Sequence, residues 1–113
     1  MKVKHFEEVK ALDVVQEGAR DVKVRWLITK EDGARNFAMR LFEVKPGGYT
    51  PCHKHDYEHE VFILEGEGKL LLEGKEYDLK PGVFAFVPEN KEHQFKNTGE
   101  KILKFLCLIP NKD

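Results

Sequence analysis

The sequence predicts an all-β domain of the barrel or sandwich kind, and three observations carry that expectation. Turn-forming clusters recur at intervals of about 8 to 15 residues. They are Asp32-Gly33, Pro46-Gly47-Gly48, Glu73-Gly74, Pro81-Gly82, Glu89-Asn90 and Asn97-Thr98-Gly99. The runs between them are short and rich in Val, Ile, Leu and Phe. None has the length, about ten residues or more, of a convincing helix.

In chain order, a helical turn is the most that Phe6–Val15 supports. Strands are expected over Val22–Thr29, Asn36–Val44, Glu60–Leu64, Lys69–Leu72, Val83–Val87 and Ile102–Ile109. Many short strands joined by tight turns make a sandwich or a barrel. Phe105-Leu106-Cys107-Leu108-Ile109 is apolar on both faces. The outward face of a small barrel needs cover, which points to a homodimer. A two-layer sandwich burying both faces internally is the alternative. The tail Asn111-Lys112-Asp113 is expected to be loose.

Length and composition narrow the class. A chain of 113 residues suits one domain spanning 1–113, and 41% apolar residues are enough for one core. Charged residues make up 35% but nearly cancel, leaving a formal net charge of −1. With no basic stripe, nucleic acid is not expected as a partner. No apolar run is long enough to span a bilayer, so no membrane partner is expected. Met1–Glu8 lacks the apolar segment of a signal peptide, so a cytoplasmic location is expected. In that compartment Cys52 and Cys107 read as free thiols. The Lys/Glu-rich surface fits a heat-adapted source.

Four of the five histidines fall into two groups. The first reads His53-Lys54-His55-Asp56-Tyr57-Glu58-His59-Glu60. Alternate residues of a strand share a face. His53, His55 and His59 therefore have one parity, together with Val61 and Ile63. Imidazoles above an apolar floor need partners, because an unpaired buried polar group costs a few kcal/mol. A shared metal ion supplies one. A histidine-rich surface loop is the other reading. In the second group, running from Gly82 to Asn97, a turn, a strand, a second turn and a second strand deliver His93.

Together the groups resemble the two motifs of the cupin family. Gly47, His53, His55 and Gly66 fit the first motif, about 47–66. Gly82, Pro88, His93 and Asn97 fit the second, about 82–97. Asn90 stands in the usual turn-glycine slot, a mild departure because Asn tolerates positive φ. At the third ligand position cupins usually carry glutamate. Counting back from Gly66 reaches His59, and Glu60 has the opposite parity, so His59 is assigned. A register slip would make Glu60 the ligand instead. The resemblance implies a single-domain cupin, a double-stranded β-helix or jelly-roll barrel.

The set His53, His55, His59 and His93 resembles a narrower group, the compact four-histidine manganese-binding cupins of thermophiles. Asn36–Phe42, Pro46-Gly47-Gly48 and Phe105–Pro110 resemble that group's strands as well. The resemblance implies a homodimer, one divalent metal per chain at the barrel mouth with manganese first, and oxidative chemistry on a small organic molecule. Imidazole ligation by itself also admits Fe, Co, Ni, Cu and Zn.

Arg40, Phe105 and Cys107 are the further pocket candidates. Phe105 and Cys107 share parity, and in the resembled group these positions lie near the metal. The alternative is two buried core side chains. Arg40 sits in an apolar strand, where a charge needs a reason. Either it receives an anionic substrate, or it pairs with Glu43, Glu58 or Glu60. Tyr49, Thr50 and Tyr57 flank the ligands, and Cys52 is expected to face away. The functional expectation is a metal-dependent oxygenase or oxidative bond-cleaving enzyme. The second reading is a non-catalytic metal- or ligand-binding module, a sensor or accessory protein. A cupin isomerase comes third, because no carboxylate of inward parity stands among the ligands to serve as a base.

Overall fold

The computed structural model describes residues 1–111. Nine strands form one curled sheet: β1 Leu12–Asp13, β2 Arg20–Ile28, β3 Phe37–Tyr49, β4 His59–Glu65, β5 Gly68–Leu72, β6 Lys75–Leu79, β7 Phe84–Val87, β8 His93–Asn97 and β9 Leu103–Pro110. The main path runs β6-β5-β8-β3-β9-β4-β7, and β2 lies against β3 with β1 outside it. The all-β expectation holds. The amino-terminal region gives only a single 3-10 turn, Phe6–Glu8, and a second such turn covers Lys30–Asp32.

The long strand β3 is the spine, pairing with β2, β8 and β9. Pro46-Gly47-Gly48, expected as a turn, instead lies inside this strand. The reason is a bulge. Arg20 pairs with Tyr49 and Val22 with Val44, so Lys45 to Gly48 oppose Asp21 alone. Such an insertion bends a strand without ending it. Gly47 takes φ 81°, and a Cβ on Gly48 would meet the Arg20 carbonyl oxygen at 2.6 Å. Gly47 supplies the left-handed backbone of the bulge and Gly48 the room for crowded backbone, and neither makes a chain reversal.

Strand β6 was not foreseen. Its sequence Lys-Glu-Tyr-Asp-Leu buries only Leu79, so it carries no apolar alternation to read. It forms because the Glu73-Gly74 turn folds it back on β5 in full register, from Leu72↔Lys75 to Gly68↔Leu79.

The core is made of Val22, Val44, Val61, Ile63, Leu70, Leu79, Phe95, Leu103, Phe105 and Cys107. It is drawn from strands on both sides of the curl, as a closing barrel requires. The outer surface is less covered. Phe62, Phe84 and Phe86 on β4 and β7 stand exposed, with Phe84 at 77%. The apolar surplus is therefore not buried within the chain as a two-layer sandwich would bury it. The tail expectation fails at Asn111, whose N–H donates to Asn36 O at 3.0 Å and whose Nδ2 donates to Ala34 O at 2.9 Å. Lys112 and Asp113 lie outside the described residues.

Asn97 closes the second motif as a buried joint. Its Nδ2 donates to Val44 O and Lys101 O, both at 2.8 Å, and its Oδ1 accepts from Gly99 N at 2.9 Å. Removing a buried amide with three bonds strands their partners. Asn97→Ala should lower stability by about 3 kcal/mol, read as a shift of the urea unfolding midpoint.

Candidate metal centre

The four motif histidines converge, although only part of the reasoning from strand parity survives. His59 opens β4, and burial alternates along it: His59, Val61 and Ile63 inside, Glu60 and Phe62 outside. The assignment of His59 rather than Glu60 to the interior therefore stands. His53 and His55, by contrast, are not in a strand. His53 makes an isolated bridge with His93: His53 N donates to His93 O at 3.2 Å, and His93 N donates to His53 O at 2.9 Å. His55 is held by its carbonyl, which accepts from Asn90 N at 2.6 Å. Asn90 adopts φ 61°, the left-handed conformation that the turn slot requires. The two motifs are thus laced together by main-chain bonds.

The ring geometry is compact. Nε2 of His53 and Nε2 of His55 are 3.0 Å apart. Two imidazoles at right angles on one ion, each about 2.1 Å from it, would be separated by about that distance. One nitrogen each from His53, His55 and His93 lie within 4.8 Å of one another. The His59 ring is as near, its centroid 4.9 Å from that of His93 and 5.1 Å from that of His55, but its nitrogens fall outside that group. All four rings face one space, with the first three forming the tighter group.

Protonation is suited to a cation. Burial, followed by the neighbouring His93, lowers the His53 pKa below the usual imidazole range. Burial first, then the adjacent histidines and Arg40, brings His55 to about 4 and His59 to about 3. These rings are neutral at neutral pH and offer lone pairs. His93 Nδ1 lies 2.9 Å from Lys91 O. A carbonyl only accepts, so Nδ1 carries the proton and Nε2 keeps its lone pair for the cluster. His59 Nδ1 is buried without a hydrogen-bond partner among the described residues. A ring nitrogen left unmatched in a set of neutral imidazoles fits a bound metal ion.

The histidines form one end of a cavity of about 300 Å³. Val22, Phe42, Phe95, Phe105 and Ile109 give it an apolar wall, and Arg40 and Cys107 enter from one rung of the β3–β9 pairing. Phe105 and Cys107 prove to be both core and cavity lining: each is at most 2% exposed. Arg40 is not paired with Glu43, which binds Arg25 at 3.2 Å and Lys104 at 3.9 Å. Its Nη2 donates to Cys107 Sγ at 3.0 Å.

Tyr57 lines the cavity and stacks on His55, with centroids 4.8 Å apart and planes within 3°. Thr50 is a structural clasp, since its Oγ1 accepts from Phe95 N at 2.9 Å. Tyr49 is not among the lining residues. Cys52 faces away and is exposed. Two lining residues carry no mark in the sequence: Gln16, from the β1–β2 connection, and Trp26, from β2. Nothing in their spacing marks them: the β2–β3 pairing brings in Trp26 opposite Arg40, and Gln16 comes in on the loop before β2.

The matching family model is that of the Cupin domain, and it covers residues 40–109. This chain belongs to the cupin family. Among its curated relatives is an oxalate-binding protein of Thermotoga maritima, 35% identical over 96 residues, spanning 81% of this chain and 78% of that one. The polyketide cyclase RemF of Streptomyces resistomycificus superposes with TM-score 0.93 at 38% identity, over 99% of this chain and 80% of that chain. A predicted oxalate decarboxylase of Thermotoga maritima superposes with TM-score 0.87 at 28% identity, over 98% and 100%. This cupin shares its barrel with proteins of different chemistries. No helix among the described residues is long and apolar enough to cross a membrane.

The lowered histidine pKa values set a sign for acid stability. Below the ordinary imidazole value of about 6.5 the unfolded chain takes up protons that the folded cluster refuses. The metal-free protein should therefore lose melting temperature as pH falls from about 6.5 toward the values of about 4 and 3 for His55 and His59. Thermal scans across that range check this, and a flat profile would contradict it.

Proposed function

We propose that this cupin holds one divalent transition-metal ion on His53, His55, His59 and His93 and is a metal-dependent oxygenase or oxidative bond-cleaving enzyme for a small organic molecule. The observation that carries the metal is the convergence of four rings, with the His53 and His55 nitrogens 3.0 Å apart and His59 Nδ1 unpartnered. The resemblance to the four-histidine group makes manganese the first candidate. Four neutral imidazoles would leave the dication's charge uncompensated, so the ion would supply strong Lewis acidity and, with a redox metal, electron transfer.

The protein's own residues favour chemistry that needs no base. The cavity lining contains no Asp or Glu among the described residues. A proton-transferring isomerase would need such a group within hydrogen-bond reach of its substrate. Phe42, Phe95 and Phe105 exclude water on the inner side, and Tyr57 packs over His55 beside the mouth. A second reading is a non-catalytic ligand-binding module, favoured by the relative that is named an oxalate-binding protein. A third, Lewis-acid catalysis without redox, is favoured by the likeness to a polyketide cyclase.

Two measurements separate these readings. Elemental analysis of His59→Ala should give a several-fold lower metal content than the parent protein, whereas Glu60→Ala should be unchanged; the reverse would reject the ligand set. Protein loaded with Mn(II) or Fe(II) should consume oxygen or a hydroperoxide in the presence of unsaturated phenolic substrates. Failure with every redox metal would leave the binding module or the Lewis acid.

The partner we propose is a second copy of the chain, seated on the exposed Phe62, Phe84 and Phe86 face. Light scattering should give a dimer mass for the parent and a monomer mass for Phe84→Lys. A monomeric parent would refute the dimer.

A further inference from the structure

We propose that the histidine cavity receives a monocarboxylic acid with an apolar body, its carboxylate taken by Arg40 and its body lying along the Phe42 and Phe105 wall. This rests on the reading of the cavity as a substrate site.

Among the described residues no salt bridge gives the Arg40 cation an anion. Its Nη2 donates to Cys107 Sγ at 3.0 Å, and its Nε is buried with no hydrogen-bond partner among the described residues. Cys107 offers little compensation, because burial raises its pKa and holds it as the neutral thiol. Glu43, the acid nearest in sequence, is engaged by Arg25 and Lys104. A half-buried guanidinium whose Nε is sealed from water is costly unless something pairs with it.

The side chain is also held ready. Its guanidinium lies 5.4 Å from the Trp26 ring centroid and 4.9 Å from that of Phe42. The first contact comes from the cross-strand pair Trp26↔Arg40 and the second from two positions along β3. Rings on the guanidinium fix its plane while leaving its edge free for hydrogen bonds. That edge is the part that matches a planar carboxylate in two-point fashion.

The remaining lining sets the rest of the ligand. Beyond Arg40 and the histidines the wall is mostly apolar, with Val22, Phe42, Phe105 and Ile109 facing the space. A dianion of two carboxylates would leave its second charge against this wall unless the metal takes it. An acid with one charged end and an apolar body satisfies both parts. The cavity, about 300 Å³, is at the small end of ligand pockets and suits a body the size of one aromatic ring.

The test uses benzoate and its neutral amide, benzamide, titrated calorimetrically into the metal-free full chain at neutral pH. Benzoate should bind at least roughly tenfold more tightly than benzamide, the effect of one charge-assisted hydrogen bond. Arg40→Gln should remove that preference, and Arg40→Lys should restore it only in part. The comparison of the two compounds on the parent protein stands even if a variant fails to fold. Equal affinity for both, no binding of benzoate, or undiminished binding by folded Arg40→Gln would overturn the proposal. Arg40-dependent binding of oxalate without binding of benzoate would overturn the apolar body. A parent that binds benzoate but takes up no Mn(II) would sink the metal reading and leave this one standing.

Discussion

The site depends on one small main-chain contact, the pair of hydrogen bonds between His53 and His93. A segment without strand structure is pinned there to β8, and with it the separation of two imidazoles is set. The bond from Asn90 N to His55 O adds a third anchor, so the loop carrying two of the rings is fixed at both. Side-chain nitrogens 3.0 Å apart need backbone held to similar tolerance, and loops deliver that only when laced to a rigid sheet. Around this contact the electrostatics follow from burial. The His53, His55 and His59 rings are neutral because they are desolvated, and a neutral ring has a lone pair to give.

The opposite wall follows a different logic. β3 and β9 pair in continuous register from Phe37↔Pro110 to Val44↔Leu103, which sets Arg40 beside Cys107 and Phe42 beside Phe105. The Phe105 ring then stacks between Phe42 at 5.3 Å and Phe95 at 4.6 Å. The barrel thus brings a polar cluster and an aromatic stack to one cavity. Membership of the cupin family accounts for the barrel. It does not choose the reaction, which lies in what the cavity wall presents beside the histidines.

Much of this was legible in the sequence, for reasons that differ from element to element. β4 could be read because His59, Val61 and Ile63 alternate with outward residues in an ordinary strand. β6 could not, because four of its five side chains are exposed and only the preceding turn and the partner strand create it. The His53 and His55 pair was identified for a reason that only partly applies, since their common direction comes from a bridge and a carbonyl contact rather than a strand pleat. The bulge at Lys45 to Gly48 hid inside a pattern that also describes a turn. Trp26 reaches the site through its pairing with Arg40, distant along the chain, and Gln16 through a loop, neither of which local periodicity records.

The two ends of the sheet path differ in kind. β6 presents Lys75, Glu76 and Asp78 to solvent around a single Tyr77, whereas β7 presents Phe84 and Phe86. A rim of charges repels an incoming strand, and a rim of aromatics invites one. A molecule with only one welcoming rim can satisfy it by meeting its own likeness about a two-fold axis. In such a dimer growth would halt, since neither charged rim accepts a newcomer. If the proposed dimer forms there, the unlike borders of the barrel would make assembly finite and guard an all-β protein against fibre formation.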